Sequence, residues 1–221
     1  DLESVNHYKD QTDIFFTCHE FSYNKIAEAY EPYLGLIRQM FHKYCSGTLE
    51  EFMEECDVYK LQRPVFESYF EKGFCERTEQ ILIDEVEYEQ ERMHSSIVTM
   101  LQKLSEICPI VIVLNRFQLA SKSTMQLTNR LLQTKNKNIG IVLGVNDVQS
   151  IPEFAHEEWD AICESMDDRN MVYHIGNAGR NMEPDVMDYY SDYESDDGYR
   201  KLNNLVYFLD FDQADHHLSK I

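Results

Sequence analysis

The sequence predicts an α/β domain, a parallel sheet flanked by helices, followed by a short helical segment. Three observations carry this. Two apolar, β-branched runs, Pro109 to Leu114 and Ile139 to Val145, are uncharged and do not alternate, as strands covered on both faces of a parallel sheet do. Helical spacing of apolar residues fills the stretches around them. Strand and helix patterns alternate along the chain, the order expected of right-handed crossovers.

Asp13 to Cys18 is a short apolar run and reads as the first buried strand. Tyr33, Leu34, Leu36, Ile37, Met40 and Phe41 then recur at helical spacing, with Pro32 at the helix start. Thr48 with Glu51 three residues later is a capping-box pattern opening a helix that runs to Cys56. Val65, Tyr69 and Phe70 mark a helix over 63–72. The longest helical signal covers 76–107, where Ile83, Val86, Tyr88, Met93, Ile97, Met100, Leu101 and Leu104 trace one face. Asp84, Glu85, Glu87, Glu89 and Glu91 read as its solvated face. After the Pro109 strand comes a helix over 121–134, capped by Ser121 or Ser123, with Met125, Leu127, Leu131 and Leu132 inward. The Ile139 strand, a helix marked by Phe154, Trp159, Ile162 and Met166, and a short strand Met171 to Ile175 follow.

Residues 177–198 interrupt the pattern with Gly179, Pro184, Gly198 and a run of acids, and read as an acidic loop or boundary. They do not make a calcium loop: counted from Asp192, glycine falls at position seven rather than six and Asn203 stands where a glutamate is needed. Helical spacing returns at Leu202, Leu205, Phe208, Leu209, Ala214 and Leu218, with Asp210 and Asp212 as a turn between two helices.

The chain has 221 residues, 43 % of them hydrophobic, enough for a substantial core. Its net charge of −20 repels phosphate backbones and anionic membranes, so neither nucleic acid nor membrane is an expected partner. The apolar run Ile110 to Leu114 is far below the ~20 residues of a membrane helix. The polar stretch Asp1 to Asp13 is no signal peptide. None of the six cysteines forms a C-x-x-C, and they read as buried free thiols of a reducing cytoplasm. A start without Met and an unfinished pattern at Ile221 read as an excerpt of a longer protein.

No complete catalytic set is present. The eight glycines include no G-x-x-x-x-G-K-[ST], so no triphosphate is held by a P-loop within these residues. In such enzymes a second apolar strand ends in acids that hold Mg²⁺ and orient water. Here the strand ends in Asn115 and Arg116, an amide and a cation. Arg116 repels Mg²⁺ and cannot act as a base. Cys18-His19-Glu20 places thiol and imidazole on opposite strand faces, which prevents a productive pair. No metal ligand set is expected.

The segment PIVIVLNRFQLASKSTMQLTNRLL, Pro109 to Leu132, resembles the second-motif strand and helix of STAND-type AAA-related ATPases, regulatory modules fused to bacterial cyclases and transcription regulators. Ala120, Ser123 and Thr124 fit that family's pattern, and Asn115 and Arg116 depart from its two acids. NIGIVLGVND, Asn138 to Asp147, is similar to the next strand, with Asn146 at the sensor place. DIFFTCHEFSYNKIAEAYEPYLGLIRQM resembles the strand and helix after the P-loop helix, so the likeness spans about residues 11–176. LNNLVYFLDFDQADHHLSKI loosely resembles a tetratricopeptide hairpin.

The resemblance implies a P-loop NTPase-like but incomplete domain over 1–176, the boundary at 177–198, and the start of a helical region at 199–221. It implies nucleotide-site positions at Asn115, Arg116 and Asn146, all altered. The expected function is a non-catalytic regulatory or scaffolding module of a larger bacterial signalling protein, working through protein partners or a fused output domain. The alternative is an active ATP-binding ATPase whose P-loop precedes Asp1. ATP and Mg²⁺ enter only on that alternative.

Overall fold

The structure is a computed structural model that describes residues 13–22, 27–74, 86–134, 136–145, 151, 155–167 and 196–218. Its three strands are β1 (Phe15–Glu20), β2 (Ile110–Asn115) and β3 (Ile139–Gly144). They form one parallel sheet in the order β1-β2-β3, with Phe15 level with Ile110 and Ile139, and Glu20 level with Asn115 and Gly144. The helices are α1 (Tyr33–Tyr44), α2 (Leu49–Glu55), α3 (Arg63–Lys72), α4 (Val86–Ile107), α5 (Lys122–Gln133), α6 (His156–Asp167), α7 (Asp196–Tyr207) and α8 (Phe211–Leu218). The chain is therefore α/β with a parallel sheet and helical connections. The expected strand at Met171–Ile175 and Asn146 lie outside the described residues.

Local chemistry explains several boundaries. Thr48 Oγ1 accepts from Glu51 N at 3.2 Å while Thr48 N donates to Glu51 Oε2 at 2.8 Å, the reciprocal capping box read in the sequence. Pro64 stands in the first turn of α3, and Gly73 ends that helix at φ 78°, a left-handed conformation open to a residue without Cβ. Arg38 reaches from α1 to the last turn of α3, where its Nε donates to Phe70 O at 2.6 Å, a cation against the helix's negative end.

The sheet corrects one expectation. Within each strand alternate residues share a face. Ile110, Ile112 and Leu114 are buried in the core, and Phe15, Ile139, Ile141 and Leu143 of the neighbouring strands pack against it. The apolar faces of α1, α4 and α5 supply the rest through residues such as Ile37, Leu101 and Met125. Burying Ile112 contributes about 2–3 kcal/mol. The opposite face carries Phe16, Val111, Val113 and Val142, none of which belongs to that core. Val142 is 55 % exposed. So β2 is covered fully on one face among the described residues, not on both. Cys18 lies on this open face and is exposed, correcting the reading of it as a buried thiol; Cys56 and Cys108 are buried.

Two further corrections fall on α4. Tyr88, read as inward, is 72 % exposed, and Glu89, read as solvated, is 8 % exposed. The buried stripe through Ile97 and Met93 continues one turn back to residue 89, and residue 88 lies off it. Glu89 is compensated there: Gln62 Nε2 donates to its Oε2 at 3.1 Å and Arg92 Nη1 lies 2.7 Å from its Oε1.

The C-terminal helices α7 and α8 meet at a corner over 208–210, where Leu209 has φ 67°. α7 begins at Asp196, inside the stretch read as a loop. Phe208 is fully buried, its ring 5.8 Å from Tyr30, 6.0 Å from Phe66 and 5.8 Å from Tyr69. This hairpin shares the core of the sheet domain. Among the described residues, no helix is long and apolar enough to cross a membrane.

Candidate functional site at the carboxyl ends of the strands

In open parallel sheets ligands bind beyond the carboxyl ends of the strands, because helix starts and loop backbones converge there. Register brings Glu20, Asn115 and Gly144 side by side at that rim. Asn115 lies across β3: a Cβ on Gly144 would come within 2.7 Å of Asn115 Oδ1, so the glycine leaves room for the amide. Asn115 Nδ2 is 3.8 Å from Cys18 Sγ.

Arg116 leaves the strand in a left-handed conformation, φ 54° and ψ 42°, and starts the 3-10 turn Phe117–Leu119. Such a backbone costs about 1 kcal/mol in a residue with a side chain. The turn is closed by Leu119 N donating to Arg116 O at 2.9 Å. Arg116 Nε lies 3.3 Å from Glu20 Oε1. The end of β2 thus holds an amide and a guanidinium paired with a carboxylate. Among the described residues no group of His, Cys, Asp and Glu is placed to hold a metal.

The same turn delivers Ser121, the N-cap of α5. Its Oγ accepts from Thr124 N at 3.3 Å and donates to Glu28 O at 3.1 Å. Asp210, 3 % exposed, reaches in from the α7–α8 corner and accepts from Ser123 N at 3.0 Å through Oδ2. A helix start offers N–H groups and a positive dipole end to anions. Here the protein's own carboxylate and hydroxyl take those donors. Burial, and then the Asp210 charge, hold the Tyr30 phenol protonated by raising its pKa well above the ordinary value. Beside this hub His19 Nε2 lies 3.5 Å from Glu31 Oε1.

Of the sequence-derived residues, Asn115 and Arg116 are adjacent at the rim, and Asn146 lies outside the described residues. Glu20 and Asp210 were not singled out for these roles. Glu20 becomes visible only through the register, and in the sequence Asp210 reads as a turn residue. Comparison with known proteins finds no match: no family model fits the chain, no curated protein matches its sequence and no solved structure matches it.

Proposed function

We propose that this chain is a non-catalytic regulatory or scaffolding module of a larger bacterial signalling protein, derived from a STAND-type P-loop ATPase. It acts in the cytoplasm through protein partners or a fused output domain, and not on nucleic acid or membranes. The Arg116–Glu20 pair carries this reading. A guanidinium at 3.3 Å from the rim carboxylate opposes Mg²⁺ and supplies no base, so the position that would drive hydrolysis is chemically inert. The Asp210 carboxylate at the start of α5 also disfavours a second anion there.

The test is Mg²⁺-dependent phosphate release and calorimetric ATP binding by the full-length protein. No turnover is expected, and Asn115→Ala with Arg116→Ala changes nucleotide affinity less than about twofold. Tight Mg²⁺-dependent binding with turnover, abolished by those substitutions, overturns the proposal and restores an active ATPase with an upstream P-loop.

A further inference from the structure

The connection from α2 to α3 and the middle of α4 border a cleft of about 510 Å³. Arg92, Ser95, Ser96 and Thr99 stand three and four residues apart on α4 and so share the face turned to it. Tyr59, Lys60 and Arg63 line it from the connection and the start of α3. A polar network ties the two sides together. Buried Gln62 donates through Nε2 to Glu89 O at 2.9 Å and to Glu89 Oε2 at 3.1 Å, and it accepts from Ser96 Oγ at 3.4 Å. The Arg92 guanidinium lies over the Tyr59 ring, 4.2 Å from its centroid. The cleft is therefore braced before any ligand arrives.

The chain carries 40 acids against 20 bases. This cleft reverses that ratio, with three cations lining it against one acid, the exposed Asp57. Arg92 is balanced by Glu89, whose Oε1 lies 2.7 Å from its Nη1. The other two cations are not balanced. Lys60 makes no ion pair or side-chain hydrogen bond among the described residues, and Arg63 makes no ion pair. Arg63 Nε donates to Val58 O at 3.1 Å, which fixes the guanidinium and leaves both Nη groups without an acceptor. Ser95 Oγ accepts from Arg130 Nη2 at 3.0 Å, so its own proton remains to be donated. Thr99 and Ser96 spend theirs on Ser95 O and Gln62 Oε1. A lone exposed cation is ordinarily solvated. Here two uncompensated cations and an uncommitted hydroxyl donor line one braced, concave site, which calls for an anion with several acceptor oxygens.

We propose that this cleft binds a small organic phosphomonoester, with Arg63 Nη and Ser95 Oγ donating to the phosphoryl oxygens and Lys60 pairing with their charge. A phosphomonoester carries about −1.5 to −2 charge at pH 7 and three acceptor oxygens, which match two cations and a surplus of donors. A carboxylate brings one charge and two oxygens. The volume falls within the ~300–1,000 Å³ of small-molecule sites, so the organic part of the ester is housed as well. Asp57 and the chain's other acids are solvated, and at physiological salt their repulsion is screened beyond about 8 Å. The inference goes beyond the reading of the sheet rim and stands without it.

Phenyl phosphate is the probe, titrated calorimetrically into the chain at about 0.15 M salt. A dissociation constant below about 1 mM is expected. Phenyl sulfate, tetrahedral but singly charged, binds at least about tenfold more weakly. Lys60→Gln and Arg63→Gln each weaken phenyl phosphate binding about tenfold, the loss of a charge-assisted contact. Lys60 is exposed, so its variant keeps the fold. Lys137→Gln, an exposed cation outside the cleft, changes binding less than about twofold. Saturation moves the Ser95 amide resonance of the unsubstituted protein, a readout that no variant's folding affects. No saturable binding below about 10 mM, an unmoved Ser95 resonance, or equal losses with Lys60→Gln and Lys137→Gln overturns the proposal. Phenyl sulfate binding as tightly as phenyl phosphate overturns the assignment to a phosphoryl group. A phosphoserine heptapeptide binding more than about tenfold tighter than phenyl phosphate overturns the assignment to a small molecule.

Discussion

Acidification should destabilise this protein through His94 in a defined window. The unfolded chain binds a proton on this ring near the ordinary value of 6.5, and the folded protein refuses it until about 4. Burial is the larger cause and the Arg130 charge the second, partly opposed by Glu91. The folded pKa is depressed below the unfolded one, so the unfolded state binds more protons between them. Stability is then fully present above 6.5, falls as pH drops toward 4, and loses nothing further from this group below that. A shift of about 2.5 units at 1.36 kcal/mol each is about 3 kcal/mol, of which about 2 kcal/mol is gone by pH 5. That is a large share of the ~5–15 kcal/mol that holds a domain together. Urea unfolding at pH 7.5, about 6 and about 5 measures it, with His94→Gln as the reference that cannot titrate. The unsubstituted protein should lose about 2 kcal/mol more than the variant over that range. Parallel losses in the two proteins refute the argument, as does a His94 resonance titrating near 6.5 in the folded state.

Three further outcomes are expected. Asp210→Ala should cost about 2 kcal/mol by thermal melting, since it strands the buried Ser123 N–H at the start of α5; an unchanged melting temperature means the α7–α8 corner does not brace that helix. Val142→Thr on the open sheet face should stay within about 0.5 kcal/mol of the parent in urea unfolding, whereas Ile112→Thr on the packed face costs about 2 kcal/mol or more. Equal costs show that both faces are covered. Arg116→Ala should alter stability by less than about 1 kcal/mol, because its Glu20 partner is half exposed and water screens the pair; a larger loss in chemical unfolding means the pair is structural.

The features that local chemistry writes were readable in order along the chain. The capping box at Thr48, the span of α3 between the residues flanking Pro64 and Gly73, and an N-cap at Ser121 or Ser123, of which the structure uses Ser121, depend on neighbours within four residues. The two-helix corner at Asp210 was also legible, because acids break the helical spacing there. At the rim, Asn115 and Arg116 were recognisable as the residues ending an apolar strand. Their partner was not, since Glu20 lies on another strand and meets Arg116 only once β1 and β2 are in register. Likewise nothing local distinguishes Asp210 from the many acids around it until the α7–α8 corner is folded against α5.

Among the described residues, the sequence by itself determined the order of the three strands and the helices between them, the parallel sheet and the want of acids at the end of β2, because periodicity, caps and residue charge act over a few neighbouring positions. The tertiary structure alone decided which face of the sheet is packed, that Glu89 rather than Tyr88 turns inward, and that Lys60, Arg63 and Ser95 border one cleft. A β-branched run looks the same whether one face or both are covered. Only the approach of elements distant in the chain sets the solvation, and so the energy, of each side chain.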